Sequence, residues 1–224
     1  MLEHNEFYLS LIRHGQSVFN TQPDRMGQFS DTPLTEKGQK QAWKLNERFK
    51  KEERKFDKVF SSDYVRAHET AKIAVCGTYS NIIVSPALRE YSAGDWNGAS
   101  RKELITTDVK LRMGLLTNGF LPPNGESMHM VERRASQWLE ETILYNKEMI
   151  AETTERYNTG KPIMELAAFS HGMTIKCLLH YVMGFDQSFI WKLTLENTAI
   201  SKLYFGAEGW RLLTINDHAH LLNT

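Results

Sequence analysis

The chain has 224 residues, 41% of them hydrophobic and 24% charged, which is enough to bury one sizeable core and unlike a disordered or fibrous chain. Lys plus Arg and Asp plus Glu each number 27, so the formal net charge is zero and there is no overall basic field to draw in nucleic acid or an anionic membrane. Any anion binding must therefore be local.

Met1 to Asn5 is polar and acidic ahead of a short apolar run, and resembles neither a signal peptide nor a membrane span. Phe7 to Ile12 reads as a buried strand stopped by Arg13-His14-Gly15. From Thr35 a helical pattern puts Ala42, Leu45 and Phe49 on one face. The basic residues Lys50, Lys51, Arg54 and Lys55 at its end are broken by Glu52 and Glu53, as on a solvated helix end. Lys58-Val59-Phe60 is a short strand, and Ser61-Ser62-Asp63 is expected to cap a helix over about Tyr64 to Val75, with Arg66 in its first turn. Asn81 to Val84 is a third apolar run, and the glycine-bearing stretch from Leu88 to Gly98, which carries Glu90, reads as loop.

Residues 99–123 are weakly periodic and end in Pro122-Pro123-Asn124-Gly125, so they are expected to form a small cap inserted over a site. Met128, Val131, Ala135, Trp138, Tyr145 and Met149 follow helical steps and predict one long amphipathic helix. Ile163 to Phe169 is another apolar strand, ending in Ser170-His171-Gly172, before a helix through Ile175 to Met183. Ala199 to Phe205 and Trp210 to Ile215 are spaced as a hairpin across Gly206 to Gly209. Strands alternating with helices imply an α/β fold: a three-layer α/β/α sandwich with a largely parallel central sheet and the inserted cap, in one domain over 1–224. Cys76 and Cys177 are read as buried free thiols, which suits a reducing, cytoplasmic setting.

In open α/β sheets ligands collect beyond the carboxyl ends of strands. His14 and His171 each stand at such an end, before a glycine that lets backbone approach a ligand closely. Arg13 and Arg66 add planar donor forks suited to phosphate oxygens. A neutral imidazole beside such cations keeps a nucleophilic lone pair, and a carboxyl group near the leaving oxygen, with Glu90 the candidate, can protonate it. No H-E-x-x-H or paired Cys-x-x-Cys pattern is present, so neither a metal nor another cofactor is expected.

Leu11-Ile12-Arg13-His14-Gly15-Gln16-Ser17 with Asn20, Asp31-Thr32-Pro33-Leu34-Thr35 with Gly38, Ser61-Ser62 with Arg66-Ala67 and Thr70-Ala71, and Leu88-Arg89-Glu90 follow one another along the chain. Gly94-Asp95-Trp96-Asn97-Gly98, Gly125-Glu126-Ser127 with Arg133, Ser170-His171-Gly172, Asn197-Thr198-Ala199-Ile200 and Asn216-Asp217 complete the series. In this order they resemble the histidine phosphatase superfamily, also called phosphoglycerate mutase-like, with Gln16 where that pattern usually has Glu. The resemblance implies His14 as phosphoryl acceptor, Arg13, Arg66 and His171 as phosphate ligands, and Glu90 as proton donor. It further implies phosphate contacts from Asn20 and the Met173 amide, for which a loop-stabilising Asn20 and a plain helix start at Met173 are the alternatives.

The family holds phosphatases and mutases. In the mutases Arg-His-Tyr-Gly follows the acid, whereas here Tyr91-Ser92-Ala93-Gly94 follows Glu90, and the mutases' adjacent Arg pair is absent from Ala99 to Pro123. The expectation is a phosphomonoester phosphatase, with a mutase or a non-catalytic phospho-ligand module as alternatives. Its partner is a small phosphorylated substrate, not nucleic acid or membrane, and its state a monomer or weak homodimer. Leu104, Ile105, Leu111, Met113, Leu115, Leu116 and Phe120 either line a substrate pocket or pack the cap.

Overall fold

A computed structural model describes residues 5–27, 29, 31–79 and 81–222, so the reading of the first four residues lies outside the described part. Six strands form one mixed sheet in the order β3-β2-β4-β1-β5-β6: β1 Phe7–Arg13, β2 Lys58–Ser61, β3 Ile82–Val84, β4 Met164–Ser170, β5 Ile200–Gly206 and β6 Gly209–Asp217. The first four run parallel, and the β5–β6 hairpin adds antiparallel to β1.

The period-2 alternation of the inner strands separates two cores. Phe7, Leu9 and Leu11 of β1, Phe60 of β2 and Leu166 and Ala168 of β4 face one side. There they meet α5 (Met128–Leu139) and α7 (Gly172–Met183) through Trp138, Leu139, Ile175, Leu178 and Leu179. Ile12, Val59, Ala167 and Phe169 face the other side, against α1 (Glu36–Lys51) and α2 (Val65–Ala74) through Leu45, Phe49, Ala71 and Ala74. Burial of both faces is why β1 and β4 read as continuous apolar runs. Thr35 caps α1 by accepting from the Gly38 amide, and the basic residues in and just after its last turn lie largely exposed.

Three local expectations are corrected. The long helix predicted from Met128 to Met149 is two: after α5 the residues Glu140–Leu144 wind as one π turn, and α6 (Lys147–Thr159) starts afresh with the Asn146 side chain accepting from the Glu148 and Met149 amides. The extra residue in the π turn shifts the helical phase and leaves Tyr145 54% exposed rather than on the core face. The cap of α2 is Tyr64, which makes no side-chain capping bond, while Ser62 Oγ accepts the Tyr64 amide ahead of it. Cys177 is buried, but Cys76 lies exposed in the turn after α2.

Residues 99–123 carry two short helices, α3 (Arg101–Leu104) and α4 (Thr107–Leu116). Leu111, Leu115 and Leu116 are 50–74% exposed and so do not pack the segment, whereas Met113 faces a cavity and Phe120 packs against Trp96. A last short helix, α8 (Phe189–Lys192), stands beside this segment. Among the described residues no helix is long and apolar enough to cross a membrane.

Candidate active site

β1 and β4 are parallel neighbours in register, with Arg13 opposite Ser170, so the residues that follow them, His14 and His171, emerge side by side. Their rings lie 5.1 Å apart and both are fully buried. The His14 Nδ1 lies 2.6 Å from the Gly15 carbonyl oxygen. A carbonyl only accepts, so Nδ1 carries the proton and Nε2 keeps a free lone pair. The Gly15 amide is held in turn by Thr70 Oγ1 at 3.0 Å. On the other ring, His171 Nε2 meets Ser62 Oγ at 3.0 Å.

Gly15 and Gly38 permit the tight path of the loop after β1. A Cβ on Gly38 would fall 2.0 Å from the Gln16 carbonyl oxygen, and one on Gly15 would fall 2.5 Å from that of Gly38. Gln16, at the position where Glu is usual, accepts from the Thr35 hydroxyl through Oε1 at 2.9 Å, away from the imidazole.

Arg66 is wholly buried at the start of α2 and gives Nη1 to the Phe29 carbonyl at 2.8 Å, its guanidinium 5.0 Å from the Tyr64 ring, which also lies 5.4 Å from His171. Arg13 gives Nη1 to the Leu195 carbonyl. Arg13 Nε, His14 Nε2, Arg66 Nε and Nη2, and His171 Nδ1 are buried and meet no hydrogen-bond partner. Buried polar groups normally do, and the free donors of Arg13 and Arg66 around the bare Nε2 of His14 are chemically suited to a ligand rich in acceptors.

Burial, then the charges of Arg66 and Arg13, hold the His14 imidazole well below its ordinary range, against the opposing Gly15 hydrogen bond. Burial and Arg66 lower His171 likewise, with His14, Arg134 and Arg13 adding to the effect. The Arg66 guanidinium is pushed down to about 10 by burial, which leaves it charged at neutrality.

Glu90, 5% exposed, sits at the N-terminus of α7. Its Oε2 accepts the Met173 amide at 3.2 Å and its Oε1 the amides of Thr174 and Tyr91 at 3.3 and 3.0 Å. The helix lacks a side-chain cap from His171, so Glu90 serves its orphan donors and its positive dipole end. The structure thus brings Arg13, His14, Arg66, Glu90 and His171 together. The Met173 amide faces the Glu90 carboxylate, and Asn20 caps a 3-10 turn with Ser17, its Oδ1 3.4 Å from Asn197 Nδ2, which also holds the His14 carbonyl at 3.0 Å.

Sequence reasoning missed Arg134. It gives Nη2 to the Glu90 carbonyl and Nη1 to that of Ala87, and pairs with Glu126, while the motif residue Arg133 is exposed. The helical spacing from Glu126 carried no signal to prefer it. The Thr174 hydroxyl, bonded to the Arg89 carbonyl at 2.6 Å, was missed as well. Among the described residues no group of three His, Cys, Asp or Glu side chains is placed to hold a metal ion.

The sequence is 29% identical, over 94% of this chain and 93% of the relative, to a probable phosphoglycerate mutase GpmB of Yersinia enterocolitica. The fold superposes on a mycobacterial glucosyl-3-phosphoglycerate phosphatase with a TM-score of 0.74 at 26% identity, covering 94% of this chain and 99% of that one. A phosphoserine phosphatase mutant of Entamoeba histolytica, solved with phosphoserine, shares the fold with a TM-score of 0.77 at 23% identity, covering 96% and 100% of the two chains. The profile of the histidine phosphatase superfamily (branch 1) matches residues 9–218, and the chain belongs to that family.

Proposed function

We propose that the protein is a phosphomonoester phosphatase working through a phosphohistidine on His14. The observation that carries this reading is the lone Nε2 of His14, deprotonated and unpartnered among the free donors of Arg13 and Arg66. With the phosphoryl group seated on those guanidiniums, Nε2 attacks phosphorus and the bond to the ester oxygen breaks as the N–P bond forms. Glu90 gives that oxygen a proton, and the alcohol leaves. Water then attacks the phosphohistidine, Glu90 takes its proton back, and inorganic phosphate departs from regenerated His14. Arg13, Arg66 and His171 stabilise the charge on the equatorial oxygens. Once a phosphoryl group is present, the Met173 amide and Asn20 are further contacts. No step calls for a metal ion.

The name of the Yersinia relative favours a second reading, phosphoglycerate mutase. Against it stand Tyr91 and Ser92 after Glu90, and a cavity beside Glu90 whose lining among the described residues holds one basic side chain, Arg101, where a glycerate carboxylate calls for cations. Phosphate release from p-nitrophenyl phosphate in excess EDTA decides the matter. Steady turnover by the native chain and none by His14→Ala is expected. Loss of turnover in EDTA overturns the mechanism, and interconversion of phosphoglycerates primed by a bisphosphorylated one establishes the mutase.

A further inference from the structure

We infer that the preferred substrates are phosphate esters of apolar alcohols, aryl or alkyl, whose carbon skeleton enters a methionine-lined cavity beside Glu90. The inference rests on the phosphatase reading above and deepens it. If Glu90 protonates the leaving oxygen, the leaving group lies on the Glu90 side of the phosphate. A cavity of about 210 Å³ opens there, walled by Met26, Tyr91, Met113, Met128, Met173 and Trp191. Four thioethers and two rings give a surface on which the hydroxyls of a sugar or the carboxylate and ammonium of an amino acid find few partners. Arg101 is exposed, and its Nε is turned to the Arg25 carbonyl at 3.3 Å, which places its charge at the rim.

Trp191 is the most informative part of the wall. It is 54% exposed, yet its indole Nε1 donates to Asn118 Oδ1 at 2.9 Å. Asn118 is buried and gives its own Nδ2 to the Gln187 carbonyl at 3.0 Å. A large ring left open to solvent but fixed in orientation by a buried amide is a stacking face waiting for a ligand. A second cavity of about 570 Å³ shares Met113 and Trp191 with the first, so a leaving group of more than one ring has room to continue outward. Unbranched methionine side chains adapt their shape, which suits breadth among apolar groups.

The test compares kcat/KM for phenyl phosphate and 2-naphthyl phosphate with that for 3-phosphoglycerate, phosphoserine and glucose 6-phosphate, using the intact chain. The naphthyl ester is expected to exceed each polar ester by roughly tenfold or more, as apolar pockets discriminate. Trp191→Ala and Met113→Ser are expected to shrink that ratio by a similar factor, with Trp191→Phe restoring most of it. A polar ester turned over as well as the naphthyl one, or a ratio that the variants leave unchanged, overturns the inference while leaving the phosphatase in place. No turnover with any ester overturns both.

Discussion

The ring of His14 and the carbonyl of Gly15 are joined by one short hydrogen bond, 2.6 Å from Nδ1 to oxygen, which fixes the tautomer that leaves Nε2 as a base. Burial and the two arginines keep that base unprotonated into acid. The acid limb of kcat/KM, which reports the free enzyme, is therefore expected below the ordinary imidazole range, with no loss of His14 reactivity between neutrality and about pH 6.5. Replacing Arg66 with Met removes the largest charge contribution to the shift, so the limb should move up toward neutrality whatever the amplitude of the remaining activity. A limb at or above the imidazole range in the native chain, or one that stays put in the variant, contradicts this account.

The same shift makes stability depend on pH with a definite sign. His14, His171 and His220 have lowered folded-state values, that of His220 about 4, with burial the largest cause in each. Below the ordinary imidazole value the unfolded chain takes up protons that the folded one refuses, so stability is complete above that value and is lost as pH falls toward the folded values. Each fully differential proton contributes a slope of about 1.4 kcal/mol per pH unit. Urea midpoints for the native chain should thus fall from pH 7 to pH 5. His14→Asn should flatten the fall, and an unchanged slope in that variant counts against a neutral buried His14.

The paired strand ends that carry both histidines were readable because strands buried on both faces are apolar throughout and stop sharply at polar residues. The closing hairpin was readable for its turn glycines and its spacing. The break at Tyr145 was not: a π turn adds one residue without adding a proline or glycine, and the apolar spacing runs on across it to Met149. Arg134 was invisible for another reason. Which of two adjacent arginines turns inward depends on the phase of α5 against the Glu90 loop, a tertiary relation that residue types do not encode. The role of Glu90 as a cap for α7 is likewise a long-range contact, from residue 90 to residues 173 and 174.

Asn46 is a polar residue on the buried face of α1. Its Nδ2 donates to the carbonyls of Ala74 and Cys76 at 2.9 and 3.0 Å, which ties α1 to the end of α2. Asn46→Ala leaves two carbonyls without that donor and is expected to cost roughly 1–3 kcal/mol. Denaturant unfolding measures the loss, and kcat should stay within about twofold, since the tie is made at the far end of α2 from Arg66. A neutral substitution would mean that water replaces the amide.

Gly38 tests whether the loop after β1 must sit where it does for chemistry. A Cβ there falls 2.0 Å from the main-chain oxygen of Gln16, and backbone has no flexible end with which to yield. The first residues of α1 or the loop from His14 to Ser17 must move. The α1 side is anchored by Thr35 at its cap and by Leu45 and Phe49 in the core, so the loop is the part expected to shift. Displacing a nucleophile by about 1 Å costs on the order of a hundredfold in rate. Gly38→Ala should accordingly lower kcat far more than it lowers the unfolding midpoint, whereas Gly160→Ala, where a Cβ meets nothing within 4 Å but φ is +65°, should cost stability and spare kcat. Equal kcat for the two variants would show that the loop relaxes around the added methyl and that its tight path is not needed to aim His14.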